Sequence, residues 1–300
     1  MILNKTYMYA GKSNLSAPDF IDDKLLKKLK DKRVLIKYGG NAMVDESSRK
    51  NVLYQIALLK QLGIKVVVVH GGGPFIQKML DDAGVESKFV DGHRITDRQA
   101  MEVVEIALSG KVNGDLVKGL NKLQANAMGL SGKDGMMVKA VKRHYSVTEG
   151  GDDVSVDLEF VGDVKSINTK IVSSLLDQNY LPVISPVSVG EDGEDYNINA
   201  DMFAGHFAGE LKADAFIAVT NVDGLMVDIE DPESRIIEIS PLKAKTYFDT
   251  IIKGGMIPKV EACLIGLEKG VKAAHIVNGS TENAILKQLF TKTKSGTTIQ

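Results

Sequence analysis

Three places in the sequence join glycines to polar residues at the end of an apolar run. They are Lys37-Tyr38-Gly39-Gly40-Asn41, His70-Gly71-Gly72-Gly73 and Thr220-Asn221-Val222-Asp223-Gly224. Glycine lets backbone N–H groups close on an anion, and a helix that follows adds its positive end. Glycines also serve plain tight turns, but two such loops close together favour anion binding. Lys37 precedes one loop, where its ammonium would point into a site; a solvated strand-end lysine is the alternative. Lys259 follows Pro258, which suits the first turn of a helix. A cation there opposes the helix dipole, unless an anion lies between lysine and helix; a surface lysine is the plainer reading. Arg94, just ahead of a helix start, could clamp a carboxylate bidentately. Asn197 and Asn199 are natural caps, and an amide there can also hold a ligand carboxylate or amide. Asp201 suits a first helical turn by the dipole alone, and could also pin two lysines by charge pairing.

Other chemistries lack their residues. The 37 basic and 39 acidic side chains nearly cancel, so no excess charge advertises nucleic acid or an anionic membrane. The single cysteine, Cys263, rules out an internal disulfide framework and a cysteine metal cluster. Within the apolar stretch 260–267 it reads as a buried structural thiol, and a reducing cytoplasm fits. The opening residues lack the apolar region of a secretory signal, and no apolar run is long enough to cross a bilayer. The five histidines are dispersed without metal-ligand spacing, and His70 reads as a hydrogen-bonded core or loop histidine. No serine or cysteine is paired with a base. Neither GxxxxGK[ST] nor GxGxxG occurs, which removes the P-loop and the dinucleotide fingerprint.

The elements that must position these residues alternate. An arm, residues 1–31, carries an amphipathic stripe of Ile21, Leu25 and Leu29 behind a start at Ser16. Such a helix docks on its own domain or is exchanged with a neighbouring subunit. Strands are expected at 34–37, 65–70, 182–187, 215–220 and 273–277. Helices are expected at 47–62, from a Thr96 capping box through Leu108, and at 199–211, 258–269 and 281–290. The four consecutive valines from Val66 read as a strand buried on both faces. Residues 136–160 read as an antiparallel hairpin. Alternating strands and helices make an α/β protein with a mostly parallel sheet. Ligands on such sheets sit beyond the carboxyl ends of the strands, where the glycine loops fall.

The ordered set IKYGGN, VVVVHGGGP, FVDGHRITD, SGKDG, FVGDV, NINAD, TNVDGLM and GGMIPKV resembles the acetylglutamate kinases of the amino-acid kinase superfamily, over roughly residues 33–300. The resemblance implies a three-layer αβα sandwich with a central, mostly parallel sheet, an N-terminal helical arm at 1–31, an acetylglutamate-binding lobe at 32–195 and an ATP-binding lobe at 196–300. It implies transfer of phosphate from ATP, with Mg²⁺, to the side-chain carboxylate of N-acetyl-L-glutamate, the second step of arginine biosynthesis. Carried over by position, Lys37 and Lys259 match the transition-state lysines and Asp201 the residue that orients them. Gly72, Gly73, Arg94 and Asn197 match substrate contacts. Gly39, Gly40, Thr220, Asn221, Asp223, Gly224, Met226 and Lys253 match the nucleotide site. The arm and tail are similar to the arginine-inhibited branch, which implies a homo-oligomer, a dimer or a hexamer built as a trimer of dimers. In that branch His275, Gln288 and Gly296 fall at the arginine site. The family places a glutamate where Gln288 stands, and Asn278-Gly279-Ser280 departs from its usual DGR; losing a carboxylate there weakens a guanidinium site. A sister kinase acting on another acyl group, carbamate or UMP is the nearest rival. A non-catalytic nucleotide or amino-acid sensor is a rival from another class, and a nicotinamide dehydrogenase is a remote third.

Overall fold

The structure is a computed structural model of one chain, and it describes residues 15–149, 152–248 and 250–300. The first 14 residues of the expected arm therefore lie outside the described residues, as does the Gly150-Gly151 tip of the expected hairpin.

In chain order the strands are β1 (Arg33–Tyr38), β2 (Lys65–His70), β3 (Lys88–Val90), β4 (His93–Ile95), β5 (Ala127–Ser131), β6 (Val138–Glu149) and β7 (Asp152–Ile167). Then follow β8 (Leu181–Ser185), β9 (Val187–Gly190), β10 (Asp195–Ile198), β11 (Ala215–Thr220), β12 (Glu238–Ile239), β13 (Ala273–Asn278) and β14 (Thr297–Ile299). The helices are α1 (Asp23–Leu29), α2 (Glu46–Gln61), α3 (Gly73–Asp82), α4 (Arg98–Glu105) and α5 (Asn113–Lys122), the last two joined by a π-helical stretch, Ile106–Val112. After them come α6 (Lys170–Asp177), α7 (Ala200–Glu210), α8 (Pro241–Lys245), α9 (Ile257–Glu268) and α10 (Ala284–Phe290).

Eight strands form one sheet in the order β12-β14-β13-β11-β1-β2-β8-β5. All neighbours are parallel except β13 and β14. Strand alternation sends side chains into two cores. Val34, Ile36 and Tyr38 of β1, with Val66 and Val68 of β2, join α1, α2, α5 and α10. Leu35, Val67 and Val69 join α6, α7 and α9 on the other face. The valine run is therefore buried on both sides, each side chain contributing about 1.5–3 kcal/mol. This is the expected three-layer αβα sandwich. Parity settles where Lys37 goes: two residues after Leu35, it must face α7 and α9.

β1 lies between β2 on one side and β11 on the other, so the chain order reverses there and a crevice opens beyond the carboxyl ends. The expected hairpin forms as β6 and β7, longer than anticipated. With β9 and β10 it closes a small four-stranded barrel beside the main sheet.

Several boundaries differ from the sequence expectation for local reasons. Asp22 caps α1 rather than Ser16, accepting from the Lys24 and Leu25 amides at 2.7 and 3.2 Å. Asp97 caps α4 instead of Thr96, accepting from the Ala100 amide at 2.8 Å. Thr96 is buried and bridges to Glu159. The helix does not stop at Leu108 but runs on through the π turn into α5. Pro186, without an N–H, separates β8 from β9 where one strand was expected. α1 docks on its own chain: Ile21 and Leu26 are buried, and the Asp22 amide donates to the Phe290 carbonyl at 3.1 Å.

Candidate active site

Lys37 is 5% exposed and Asp201 6%. Lys37 Nζ lies 2.9 Å from Asp201 Oδ1, close enough for an ion pair but off the line of a hydrogen bond. Lys259 Nζ lies 3.4 Å from Asp201 Oδ2 and donates to the Gly255 carbonyl at 3.0 Å. Burial alone would push the Asp201 carboxyl up, yet the two ammonium groups outweigh it and hold it below the ordinary carboxylate range. Burial pulls Lys259 below the ordinary lysine range, Asp201 works against that and Lys37 adds to it. One carboxylate thus holds a buried and a half-buried cation side by side.

Local sequence builds this arrangement. Asn199 caps α7, its side chain accepting from the Asp201 and Met202 amides at 2.9 and 3.3 Å, so Asp201 falls in the first turn. α7 and α9 press together one turn further on: a Cβ at Gly205 would sit 2.4 Å from the Ala262 carbonyl oxygen. That close approach brings Lys259, one turn before Ala262, to Asp201. Gly205→Ala must wedge the helices apart. It is expected to cost about 1–3 kcal/mol of stability and to lower turnover, checked by thermal melting beside a kcat measurement. At Gly39 a Cβ would lie 3.2 Å from Lys37 Nζ, so this glycine leaves room for the ammonium.

Two cavities flank this cluster, one lined by Lys37 and Asp201 and the other by Lys259. The smaller, about 200 Å³, is lined by Lys37, Gly40, the three glycines of the 71–73 loop, Leu108, Asn197, Asn199 and Asp201. Gly73 opens α3, whose first amides lack helical partners. The larger, about 650 Å³, is lined by Thr220, Asn221, Gly224, Met226, Lys253 and Lys259, among others. A cation thus borders each cavity, and the carboxylate ties the pair together.

Most sequence-derived candidates gather here, with four exceptions in detail. Arg94 is not among the residues lining the smaller cavity; it donates to Gln77 Oε1 at 3.0 Å and to Ser87 Oγ, with its guanidinium over Phe89. Gly40 borders the smaller cavity, not the larger. Gly39 lines neither, but crowds Lys37. Asp223 turns away, accepting from Asn278 Nδ2 at 2.9 Å and Thr281 Oγ1 at 3.2 Å. Gly224 takes φ +114°, and a Cβ there would lie 2.5 Å from Thr297 Oγ1, so backbone strain and packing both demand glycine. Asn199, weighed in the sequence as a cap that can also hold a ligand, lines the smaller cavity; sequence reading missed Leu108 as a lining residue, and missed Gly205. The cap signal at Asn199 was visible; the other two depend on helix contacts.

His275, Gln288 and Gly296 also come together, in a separate buried cluster. Gln288 Nε2 lies 3.2 Å from His275 Nδ1 and donates to Thr298 Oγ1 at 2.9 Å, while Gln288 Oε1 accepts from the Gly296 amide at 2.9 Å. Burial, helped by Lys294, lowers His275 to about 4, and burial does the same to His70, against an opposing hydrogen bond to Gly71. A histidine with a depressed folded-state value binds its proton more readily when unfolded. Its contribution is therefore lost as pH falls from 6.5 toward 4. We expect unfolding free energy to drop by about 1–2 kcal/mol per histidine between pH 7 and pH 5. Denaturant melts of wild type and His275→Gln check this, the variant showing a shallower pH slope.

The fold and this pair of lysine-bearing cavities define a phosphotransferase class. The chain belongs to the amino acid kinase family, whose model matches residues 32–278. It is 45% identical over 277 residues to the acetylglutamate kinase of Methanocaldococcus jannaschii, covering 91% of this chain and 92% of that protein. It is 44% identical to the acetylglutamate kinase of Pelotomaculum thermopropionicum, covering 92% and 94%. Among solved structures, N-acetylglutamate synthase from Neisseria gonorrhoeae, complexed with coenzyme A and N-acetyl-glutamate, superposes with a TM-score of 0.76 at 20% identity. That match covers 92% of this chain but only 61% of the synthase chain. Carbamate kinase from Giardia lamblia bound to AMP-PNP superposes at 0.63 with 19% identity, covering 89% and 98%. At such identities the structural likenesses speak for the fold alone.

Proposed function

We propose that this chain transfers the γ-phosphoryl group of ATP to the side-chain carboxylate of N-acetyl-L-glutamate, giving N-acetylglutamyl 5-phosphate for arginine biosynthesis. The observation that carries the reading is Asp201 paired with both lysines, Lys37 on the wall of one cavity and Lys259 on the wall of the other. The similarity to acetylglutamate kinases supports the choice of acceptor.

The smaller cavity holds the acceptor, with Gly72, Gly73 and Asn197 around its polar ends, and the larger holds ATP. Residues 32–195 then form the acceptor lobe and 196–300 the nucleotide lobe, the boundary falling inside β10. A carboxylate is already a nucleophile at neutral pH, so the reaction needs no general base. Its oxygen bonds to the γ-phosphorus as the bond to ADP breaks. The obstacle is repulsion between an anion and a polyanion, so positioning and charge neutralisation supply the rate. Lys37 meets charge from the acceptor side and Lys259 from the nucleotide side. Asp201 holds the two ammonium groups in place without itself facing the phosphoryl group as the dominant charge.

Among the described residues no three carboxylates, histidines or cysteines are grouped to hold a metal. Mg²⁺ would be carried in on the triphosphate and water, where it would spread the phosphate charge. Arg94 is expected to leave Gln77 for the acceptor carboxylate on binding, since a guanidinium prefers a bidentate anionic partner. The homo-oligomer, dimer or hexamer, and the arginine effector rest on the resemblance alone. His275, Gln288 and Gly296 are adjacent as an arginine site would need, but they satisfy one another and form a neutral cluster. Among the described residues no helix is long and apolar enough to cross a membrane, and a cytoplasmic site of action fits the reading. ATP consumption measured across N-acetylglutamate, carbamate, UMP and free glutamate tests the acceptor. Stimulation by N-acetylglutamate alone is expected, and stimulation by another acceptor instead would move the protein to a sister activity.

A further inference from the structure

His70 ends β2 fully buried, yet the reaction as derived gives it no part. Its Nδ1 lies 3.0 Å from the Gly71 carbonyl oxygen, and its Nε2 lies 3.1 Å from Asn113 Nδ2. A carbonyl only accepts, so Nδ1 carries the proton. An amide nitrogen only donates, so Nε2 is the bare, accepting nitrogen. Asn113 cannot turn its amide over, because the second hydrogen of the same Nδ2 goes to the Val183 carbonyl at 2.9 Å, with the Leu130 carbonyl also near at 3.3 Å. Its Oδ1 occupies space that only a glycine leaves free: a Cβ at Gly129 would lie 2.0 Å from it. An imidazolium would set an Nε2–H against the amide donor. The surroundings therefore admit one neutral tautomer.

What this tautomer holds is a peptide unit of the smaller cavity. The carbonyl of Gly71 and the N–H of Gly72 belong to one planar trans peptide, so they point in opposite directions. Fixing the carbonyl toward His70 turns the Gly72 N–H the other way. The rest of the loop is fixed independently: the Gly71 amide donates to the Tyr38 carbonyl at 2.9 Å, and the Gly72 carbonyl accepts from the Phe75 and Ile76 amides at 2.9 Å. On the far side of the contact, Asn113 follows directly on the π turn that carries Leu108. Leu108 lines the same cavity and packs where a side chain on residue 72 would go. π turns recur at functional sites, and here the turn and the glycine loop share one buried hydrogen-bond chain.

We propose that His70 and Asn113 are positioning residues, a tautomer-locked pair that orients the Gly71–Gly72 peptide so that the Gly72 N–H meets the anionic acceptor. The proposal rests on the reading of the smaller cavity as the acceptor site. His70→Asn and His70→Gln separate the two ring functions. Asparagine places its amide nitrogen near the Nδ1 position and keeps the donation to Gly71; glutamine reaches toward the Nε2 position and loses it. His70→Gln is expected to raise KM for N-acetylglutamate about tenfold, the effect of about 1.4 kcal/mol, with kcat and KM for ATP nearly unmoved. His70→Asn should recover most of that loss. Equal losses in the two variants, or losses spread over kcat and both KM values, would overturn the proposal. Ring-nitrogen NMR of the intact wild-type chain at neutral pH tests it without activity and without a variant that must fold. A protonated Nδ1 and a bare Nε2 are expected, and the opposite tautomer or an imidazolium overturns it. Wild type that ignores N-acetylglutamate would instead sink the acceptor reading, leaving the ring assignment to be judged by the spectrum.

Discussion

Replacing Lys37 with alanine is expected to lower kcat by about 10²–10³, the scale seen when one preorganised donor to a developing charge is removed. The size follows from where the ammonium stands. It is buried at the carboxyl end of β1, 2.9 Å from Asp201 and on the wall of the smaller cavity. In the proposed reaction the cation acts most strongly when charge accumulates between acceptor and phosphate. KM for either substrate should change much less than kcat, since groups that act mainly in the transition state leave ground-state binding nearly alone. Lys37→Arg should not rescue, because the larger planar head must fit where a Cβ at Gly39 would already press on Nζ. Steady-state kinetics in both substrates check this. An alanine variant with kcat near wild type would remove Lys37 from the reaction.

Asp201→Asn is the second large effect, and it should appear in both stability and rate. The carboxylate is buried between two cations. Removing one partner from a buried ionic cluster typically costs about 3–5 kcal/mol. Without Asp201, Lys259 loses the interaction that works against its burial, so its value falls further below the ordinary lysine range. A lysine whose value falls loses its proton at lower pH. The alkaline decline in kcat of the variant must therefore begin at lower pH than in wild type, on top of a loss of about 10² or more at neutral pH. Denaturant melts and a kcat–pH profile of the same preparation check both halves. A variant that melts earlier but keeps the wild-type alkaline limb would show Asp201 to be structural only.

Much of this was legible in the sequence because short-range rules fix it. The valine run from Val66 and the glycine loop after it gave the strand and the end of the sheet where ligands are expected. Two-residue periodicity then places Lys37 on the same face of β1 as Leu35, toward the layer of α7, although that parity matters only once α7 is known to lie there. The cap at Asn199 placed Asp201 in a first turn. Pairing Asp201 with Lys259, 58 positions apart in sequence, is a different kind of fact. It depends on α7 and α9 touching at Gly205 and Ala262, and no local pattern announces which helices meet. The same holds for Leu108, brought to Gly72 by a π turn that periodicity read as the end of a helix. Cap choice also failed where two candidates stood side by side: Thr96 and Asp97 both suit the role, and burial of Thr96 against β7 decided for Asp97. Asp223 shows the limit of carrying roles by position, since its carboxylate serves Asn278 and Thr281 and not the cavity its neighbours line.

The most direct test of the central claim is chemical trapping of the product. The purified chain is incubated with ATP, Mg²⁺ and N-acetylglutamate, and hydroxylamine is added to convert any acyl phosphate to a hydroxamate; parallel reactions contain arginine. Hydroxamate that forms only when both ATP and N-acetylglutamate are present is the expected result, and the arginine arm then reports whether the neutral His275–Gln288 cluster tolerates an effector. Folded protein that binds ATP yet yields no hydroxamate from N-acetylglutamate would contradict the assignment.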